Sequence, residues 1–189
     1  MNVFINDRVF EKRDFKTNAL KIAEYDGCKF VDCNFEEVHL STFSFTDCIF
    51  EDCNLTNVQL NQASFNNVTF INSKLVGVHF YKSGGFTFLV NFIHCQLNLA
   101  SFYNMNLSGT IFKDCNLQEV DFTDANLTGV NLHHCNLISA IFNDTNLEKA
   151  DLRTAYNFTI DPELNRLKKA KFSLQNVNGL LEKYEVKIE

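Results

Sequence analysis

A large aliphatic or aromatic residue recurs at every fifth position over most of this 189-residue chain. One run of these central residues extends from Leu20 to Phe80, and a second from Phe92 to Leu152. Five steps along an α-helix rotate by about 140° and would scatter the central residues around its surface. An unbroken strand would send successive central residues to opposite faces. All of them can point inward only if the chain turns a corner once per five residues, which predicts a solenoid.

A longer interval indicates the number of sides. Several residue types recur every twenty residues, among them the pairs Cys28 and Cys48, Cys33 and Cys53, and the series Phe30, Phe50, Phe70 and Cys95, Cys115, Cys135. Twenty residues therefore make one turn, and four five-residue sides make a square coil. Successive turns should stack at strand spacing, about 4.8 Å, with like residues above one another.

The position two residues before most central residues is small or β-branched, and all seven cysteines occupy it. Their spacing contains no CxxC pair of the kind that zinc and redox sites use, so we interpret them as small buried hydrophobic residues. Stacked pairs could reach bridging distance, but seven is an odd number and no signal peptide is recognisable. The sequence also lacks an apolar stretch of about 20 residues. We expect a soluble protein in a reducing cytoplasm, without a membrane segment.

The units Ala125-Asn126-Leu127-Thr128-Gly129 and Ala150-Asp151-Leu152 resemble those of the bacterial pentapeptide-repeat family. This resemblance implies an all-β solenoid, a right-handed quadrilateral β-helix with four pentapeptides per coil, in a bacterial cytoplasmic protein. Handedness rests on the resemblance alone. The predicted divisions are an N-terminal cap (1–19), repeat coils (20–80), a loop or bulge (81–91), repeat coils (92–156), and a C-terminal helical cap with a possible dimerisation segment (157–189).

The C-terminal tail begins with Asp161-Pro162, which predicts an N-cap and the first position of a short helix reaching Ala170. A second helix is predicted up to Tyr184, followed by a short strand over 185–188. These ends resemble those of the topoisomerase-protecting members of the family, the Qnr-type quinolone-resistance proteins and a microcin immunity protein. That resemblance implies a homodimer through the C-terminal end, with Leu180, Leu181 and Tyr184 as candidate contacts. The same residues could instead pack on the last coil.

Charge suggests a mechanism. The segment from Leu20 to Leu152 carries fifteen acidic and six basic side chains, a net charge of −9. An acidic rod about 20–25 Å wide is close to the width of duplex DNA, and could occupy the DNA channel of a type II topoisomerase without binding nucleic acid itself. Equally, the acids could serve only solubility. The candidate partner-contacting acids are Asp26, Glu36, Asp47, Asp114, Glu119, Asp121, Asp124 and Asp144.

The distribution of acids is uneven, because none occurs between Cys53 and Lys113. The break at Tyr81–Asn91 lies in this neutral waist and separates Phe80 from Phe92 by twelve residues instead of ten. Two glycines give its backbone freedom for a protruding turn. In Qnr proteins loops that interrupt the coil contribute to protection, so the break is a candidate functional loop; a bulge with no partner is the alternative. The candidate loop residues are Ser83, Gly84, Gly85 and Phe86.

Catalytic and metal-binding motifs are not recognisable. His39 and His79 share a side but lie two coils apart, roughly 9–10 Å, which is too far for one zinc ion. His133 and His134 directly precede the inward Cys135, and no third ligand follows at a spacing typical of zinc sites. We therefore expect no enzyme, cofactor or metal. Two functions remain: protection of DNA gyrase or topoisomerase IV from quinolones or a peptide toxin by DNA mimicry, or a structural or scaffolding solenoid with an unknown protein partner.

Overall fold

The computed structural model describes residues 3–85 and 88–187. Within these ranges the regular elements are short strands, all paired in parallel, and three 3₁₀ helices, with no α-helix. The strands are β1 (Phe4–Asn6), β2 (Val9–Glu11), β3 (Glu24–Asp26), β4 (Lys29–Val31), β5 (Ser44–Thr46), β6 (Ile49–Glu51), β7 (Ser64–Ile71), β8 (Phe88–Ile93), β9 (Ile111–Lys113) and β10 (Asn131–His133). The 3₁₀ helices are Phe80–Lys82, Val177–Leu180 and Glu182–Tyr184.

The strands stack as the sides of a coil, which confirms the predicted solenoid. Register partners are twenty residues apart, as in Phe30 with Phe50 and Phe112 with Leu132. Side 1 contains β1, β3 and β5, and side 2 contains β2, β4, β6, β9 and β10, while β7 and β8 run along both. Sides 3 and 4 are held by isolated bridges, of which side 3 includes Asn34 with Asn54 and side 4 includes His39 with Gln59.

The core is a continuous column along the coil axis. All central residues from Leu20 to Leu152 are buried. Their rings stack along each side, with centroids 4.7 Å apart for Phe30 and Phe50 and 5.6 Å apart for Phe102 and Phe122. Rings stacked along one side are nearly parallel, and rings on adjacent sides meet edge to face. The column is therefore stabilised by aromatic contacts as well as by the burial of apolar area.

The corners require a particular backbone conformation. The residue two positions after most central residues has a positive φ, close to +50° to +70°, for example +51° at Asp47 and +58° at Asp124. Among residues with a side chain, Asn and Asp adopt this left-handed conformation most readily. Five of the predicted partner-contacting acids lie at such corners: Asp47, Asp114, Glu119, Asp124 and Asp144. Backbone geometry therefore already favours Asp or Asn there, and the choice of a charged residue is a separate question.

The cysteines are core residues with an additional hydrogen-bonding role. All seven are free and buried, so the stacked pairs are not bridged. The thiol of Cys53 donates to the carbonyl of Phe30, 3.4 Å away in the preceding coil, and Cys115 does the same to Phe92. The hydroxyls of Ser73 and Thr145 make the equivalent bonds at their own corners. Where this position holds Cys, Ser or Thr, the side chain therefore fills the core and also donates to a buried carbonyl.

The coil starts earlier than the predicted cap boundary at residue 19. β1 pairs with β3 and β2 with β4, so residues from Phe4 onward already form a turn. Ile5, Phe10 and Phe15 continue the five-residue spacing, and Phe10 stacks on Phe30 with centroids 4.8 Å apart. The start of the coil is therefore a correction to the sequence analysis, which began the pattern at Leu20.

The coil also continues beyond residue 156. Bridges join Asn146 to Arg166 and Asp151 to Lys171, and the helix predicted from Asp161 to Ala170 is wrong. Asp161 does accept the backbone N–H of Glu163, but in a turn. Stacking on the previous coil outweighs the local helix signal, because Leu167 and Phe172 lie twenty residues after Leu147 and Leu152 and pack against the core.

The last described residues close the open end of the coil, as a short cap of 3₁₀ rather than α-helical geometry. The side-chain amide of Asn176 donates to the carbonyls of Leu152 and Ala155, at 2.9 and 2.8 Å. Gly179 is buried so closely against Phe158 that a Cβ atom would collide with its carbonyl and ring. Of the predicted strand over 185–188, residues 185–187 form no strand, and residue 188 lies outside the described residues.

The break shifts the register by two residues, as its length predicted. Partners before it are twenty apart, as in Phe50 with Phe70, and across it twenty-two apart, as in Phe70 with Phe92. Gly84 does not protrude: its N–H donates to Ala63 at 2.8 Å, and a Cβ would come within 2.9 Å of the Cα of Gln62. The missing side chain of Gly84 thus permits its backbone to pack closely against that of Gln62 in the preceding coil. Gly85 has φ +93°, a left-handed conformation that favours glycine.

Phe86, the remaining loop candidate, lies outside the described residues. No helix in the described ranges is long and apolar enough to cross a membrane.

Candidate partner-binding surface

Side 4 of the coil presents two tyrosines in the neutral waist. Its ladder joins His79 to Ser101 and Ser101 to Asp121, which places Tyr81 and Tyr103 in one column on the outside. Their rings are 6.2 Å apart and perpendicular, and the residues are 42% and 44% exposed. Tyrosines with an exposed ring and a polar hydroxyl are enriched where proteins bind other proteins.

Two predicted acids border these tyrosines. A shallow groove of about 450 Å³ is lined by the tyrosines together with Glu119 and Asp121. The carboxylate of Asp121 accepts the N–H of Thr123 at 2.9 Å and the hydroxyl of Ser101 at 3.2 Å. Asp121 therefore closes a turn as well as carrying charge. The exposed side chain of Glu119 accepts a hydrogen bond from the side-chain amide of its neighbour Gln118 at 2.9 Å.

Leu99 completes this groove and is an unusual residue type for its corner position. Its side chain is 53% exposed, and its backbone is left-handed, with φ +60°. The equivalent corner positions in the two preceding coils are Asn57 and Gly77, which suit that conformation. An exposed apolar residue kept in a strained conformation is a candidate for direct contact with a partner.

A second groove, of about 660 Å³, lies at the corner between side 4 and side 1. Asp124 and Asp144 line it from successive coils, together with Glu163 and Arg166. The Lys183 ammonium, 2.7 Å away, and the Tyr184 hydroxyl, 2.9 Å away, hold the pKa of Glu163 below its usual value. The groove therefore combines three carboxylates with one guanidinium group.

The break contributes a third groove, of about 370 Å³, which shares Tyr81 with the first. Ser83, Gly84, Gly85 and the half-exposed Leu89 line it. We name the three grooves together the tyrosine–acid surface. Its principal residues are His79, Tyr81, Ser83, Gly84, Gly85, Leu89, Leu99, Tyr103, Glu119, Asp121, Asp124 and Asp144.

Four of the eight predicted acids lie elsewhere. Asp26 and Asp47 are on side 1, and Glu36 is on side 3, where Lys16 lies 3.5 Å away. Asp114 is at the end of β9 on side 2, between two histidines. The carboxylates thus form one local group on side 4 and separate positions on the other sides, and do not follow the regular path of a phosphate backbone.

The predicted dimer contacts differ in accessibility. Leu180 is partly buried and packs against the core, in agreement with the alternative that it lies on the last coil. Tyr184 is 46% exposed but is held by its hydrogen bond to Glu163. Leu181 is partly buried beside Asn178 and Glu182. The most exposed apolar side chain of this end is Leu174, at 95%.

Sequence reasoning missed Tyr81 and Tyr103, although their spacing carries the signal. They are twenty-two residues apart, which is one turn plus the two residues of the break. The series His94, Asp114 and His134, each twenty residues apart, was available in the same way.

Comparison with known proteins identifies the family. The profile described as pentapeptide repeats, with eight copies, matches residues 28–67, 48–83 and 115–153. The chain belongs to the pentapeptide-repeat family. No curated protein sequence matches this pentapeptide-repeat protein at a significant level.

Among solved structures, this pentapeptide-repeat protein superposes on a trypsin-treated single-residue variant of QnrB1 with a TM-score of 0.68 at 17% identity, with all of both chains covered. That structure is described as a plasmid-mediated fluoroquinolone resistance protein. The likeness at this identity shows the shared fold.

Two further matches are more distant. HetL from the cyanobacterium Nostoc, described as involved in heterocyst differentiation regulation, has a TM-score of 0.29 at 15% identity over 90% of this chain and 87% of its own. A thylakoid-lumen pentapeptide-repeat protein from Arabidopsis thaliana has a TM-score of 0.37 at 19% identity over 93% and 88%. Scores this low support no inference about this chain.

Proposed function

We propose that this chain is a non-enzymatic interaction protein of the bacterial cytoplasm that protects DNA gyrase or topoisomerase IV from quinolones or a peptide toxin. Its family membership, its fold likeness to a fluoroquinolone resistance protein and its acidic coil support this proposal. The seven free, buried cysteines suit a reducing compartment.

The observation that carries the proposal is the convergence of acids, exposed tyrosines and the break on one side of the coil. Glu119, Asp124 and Asp144 are exposed there. A basic channel that binds DNA attracts fixed negative charge in the place of phosphates, and the tyrosines supply buried contact area. The partner would thus be bound by a local acidic and aromatic patch, and mimicry of DNA would concern this patch rather than the whole rod.

A matched pair of charge variants tests the proposal. One triple variant carries Glu119→Gln, Asp124→Asn and Asp144→Asn, and leaves Asp121 in its turn. The control carries Glu36→Gln, Asp26→Asn and Asp47→Asn. Both remove three negative charges, and Asn preserves the left-handed corners at positions 47, 124 and 144.

Purified gyrase is assayed for supercoiling and for drug-stabilised DNA cleavage in the presence of each variant. We expect the first triple variant to lose most of its effect and the control to retain it, with the wild-type effect declining as salt is raised. Equal loss in both variants would mean that net charge, and not the surface, is responsible. If the wild-type protein changes neither reaction at tens of micromolar, the topoisomerase function is excluded.

A second candidate function is a scaffold with a different protein partner. The exposed side chains of Tyr81, Tyr103 and Leu99 favour it. They form an apolar contact area in the neutral waist, the part of the coil whose sequence contains no acidic residue. Tyr81→Ala with Tyr103→Ala should then abolish capture of a partner other than gyrase from bacterial lysate, while the acidic triple variant still captures it.

We also propose that two rods associate through their C-terminal ends. The exposed Leu174 and the partly buried Leu181 are the apolar side chains available for such a twofold contact.

A further inference from the structure

Two histidines and an aspartate converge on side 2, away from the tyrosine–acid surface. Asp114 directly follows β9, while His133 ends β10 and His134 follows it. Because β9 and β10 are paired, the two segments lie one above the other at about strand spacing. One potential ligand atom from each of the three residues lies within 4.8 Å of the other two.

The geometry of this cluster is fixed from several directions. The Nδ1 atom of His134 is 3.2 Å from Asp114 Oδ1, and the two imidazole rings have centroids 4.0 Å apart. The backbone N–H of His134 donates to the hydroxyl of Thr154 at 3.0 Å, which holds its corner. The backbone N–H of Asp114 donates to the carbonyl of His133, 2.8 Å away.

His133 also has an unsatisfied polar atom. Its Nδ1 is buried and, among the described residues, has no hydrogen-bond partner. A buried polar atom without a partner is costly, and few are found in folded proteins. A metal ion coordinated by this nitrogen would provide the missing interaction.

We propose that Asp114, His133 and His134 bind a divalent transition-metal ion, with zinc as the expected occupant. Imidazole nitrogen and carboxylate oxygen are ordinary zinc ligands, and two histidines with one carboxylate leave a fourth position open for water or another ligand. The ion would join two successive coils of the second run and stabilise their stacking by mass action.

His94 acts as a positioning residue for this site. Its Nδ1 lies 3.7 Å from Asp114 Oδ2, while the Nδ1 of His134 lies 3.2 Å from Asp114 Oδ1. It belongs to the preceding coil and is not among the three residues whose ligand atoms converge. Such outer partners orient ligating carboxylates and tune affinity without contacting the metal.

The test uses the full chain, freed of any polyhistidine tag and stripped of metal. Zn²⁺ alone is titrated by calorimetry, and Co²⁺ is followed by its absorption. We expect one ion per chain and a rise in the melting temperature when Zn²⁺ is present. His133→Gln, His134→Asn and Asp114→Asn should each weaken binding at least about tenfold, since losing an outer partner alone costs about 10–100-fold.

Two further variants locate the site. His39→Gln, at a surface histidine two sides away, should leave affinity unchanged, and His94→Gln should weaken binding by less than the three ligand variants. Asn at position 134 retains the left-handed corner, so this variant should fold.

Several outcomes would overturn the proposal. They are the absence of saturable Zn²⁺ binding, equal affinity in the wild type and the ligand variants, and a Co²⁺ spectrum with a thiolate charge-transfer band. The first would leave the cluster as a hydrogen-bonded histidine–aspartate group, and the last would assign binding to cysteine. None of these results bears on the topoisomerase proposal, which rests on another side of the coil.

Discussion

The two runs of the coil build the same square cross-section from different columns. In the first run the aromatic residues stack on sides 1 and 2, as in Tyr25 on Phe45, and both sides are strands. In the second run the longest aromatic column moves to side 4, where Phe102 stacks on Phe122. In this run the corner between side 1 and side 2 is a turn, in which the backbone N–H of Val130 donates to the carbonyl of Leu127 at 3.1 Å. The five-residue spacing thus determines which residues face inward, while each side can be a strand or a turn.

The outer surfaces of the two runs differ more than their cores. In the first run the acidic side chains Asp26, Glu36 and Asp47 are spread over sides 1 and 3. In the second run Glu119 and Asp121 line the groove of the exposed tyrosines, and Asp124 lines a further groove on the same surface. Because the core is equivalent in both, we expect stability to be shared by the two runs and recognition to belong to the second.

The largest effect should come from removing a ring from the core of either run. Phe50 stacks between Phe30 and Phe70, and Phe122 between Phe102 and Phe142. Replacing Phe50 or Phe122 by Ala opens a cavity in a buried column and should cost about 3–5 kcal/mol of unfolding free energy, measured by denaturant titration.

The control for this prediction is Thr123→Ala, beside Phe122 on the outside, which should change stability by less than about 0.5 kcal/mol. A loss in one run with none in the other would mean that the runs unfold separately and would contradict the single continuous core.

A smaller effect is expected where a corner is closed by a side chain. Thr145 is buried, and its hydroxyl donates to the carbonyl of Phe122 at 2.8 Å. Thr145→Val removes this bond and the one to the carbonyl of Asn143, each worth about 0.5–1.5 kcal/mol. Both carbonyls keep a backbone N–H donor, so the variant should cost about 1–3 kcal/mol in thermal or chemical unfolding. Thr145→Ser keeps the hydroxyl and should cost less; the reverse order would show that the methyl group, and not the hydrogen bond, stabilises this corner.

At the C-terminal end, packing on the coil and association of two rods depend on different leucines. Leu180→Ala removes a partly buried side chain and should cost about 1–2 kcal/mol of unfolding free energy, below the range for a fully buried leucine, without changing the oligomeric state.

Leu174→Glu should convert dimers to monomers in light scattering while stability is kept, because Leu174 is almost wholly exposed. A wild-type protein that is already monomeric at micromolar concentration would exclude the dimer.

The smallest effect should have the opposite sign. Leu99→Asn places a residue that tolerates the left-handed conformation at φ +60° and should stabilise the fold by about 0.5–1 kcal/mol. If Leu99 is retained for recognition, the same variant should bind the partner more weakly. Unchanged binding would remove Leu99 from the tyrosine–acid surface.

The sequence by itself determined the solenoid, its four sides and its inward residues. A repeated interval is local information, and burial of every fifth residue is possible in only one kind of architecture. The seven cysteines and the two-residue register shift follow from the same spacing. The ends were less predictable: Asp161-Pro162 is a sound local signal for a helix, but stacking of Leu167 and Phe172 on the previous coil overrides it.

Only the tertiary structure decided which outward residues meet. Tyr81 and Glu119 are 38 positions apart, and His94, Asp114 and His134 come from three different coils. Their proximity depends on the side each occupies and on the register after the break, and not on any local preference. Side-chain orientation and hydrogen bonding then separate Asp121, which closes a turn, from Glu119, which is available for contact.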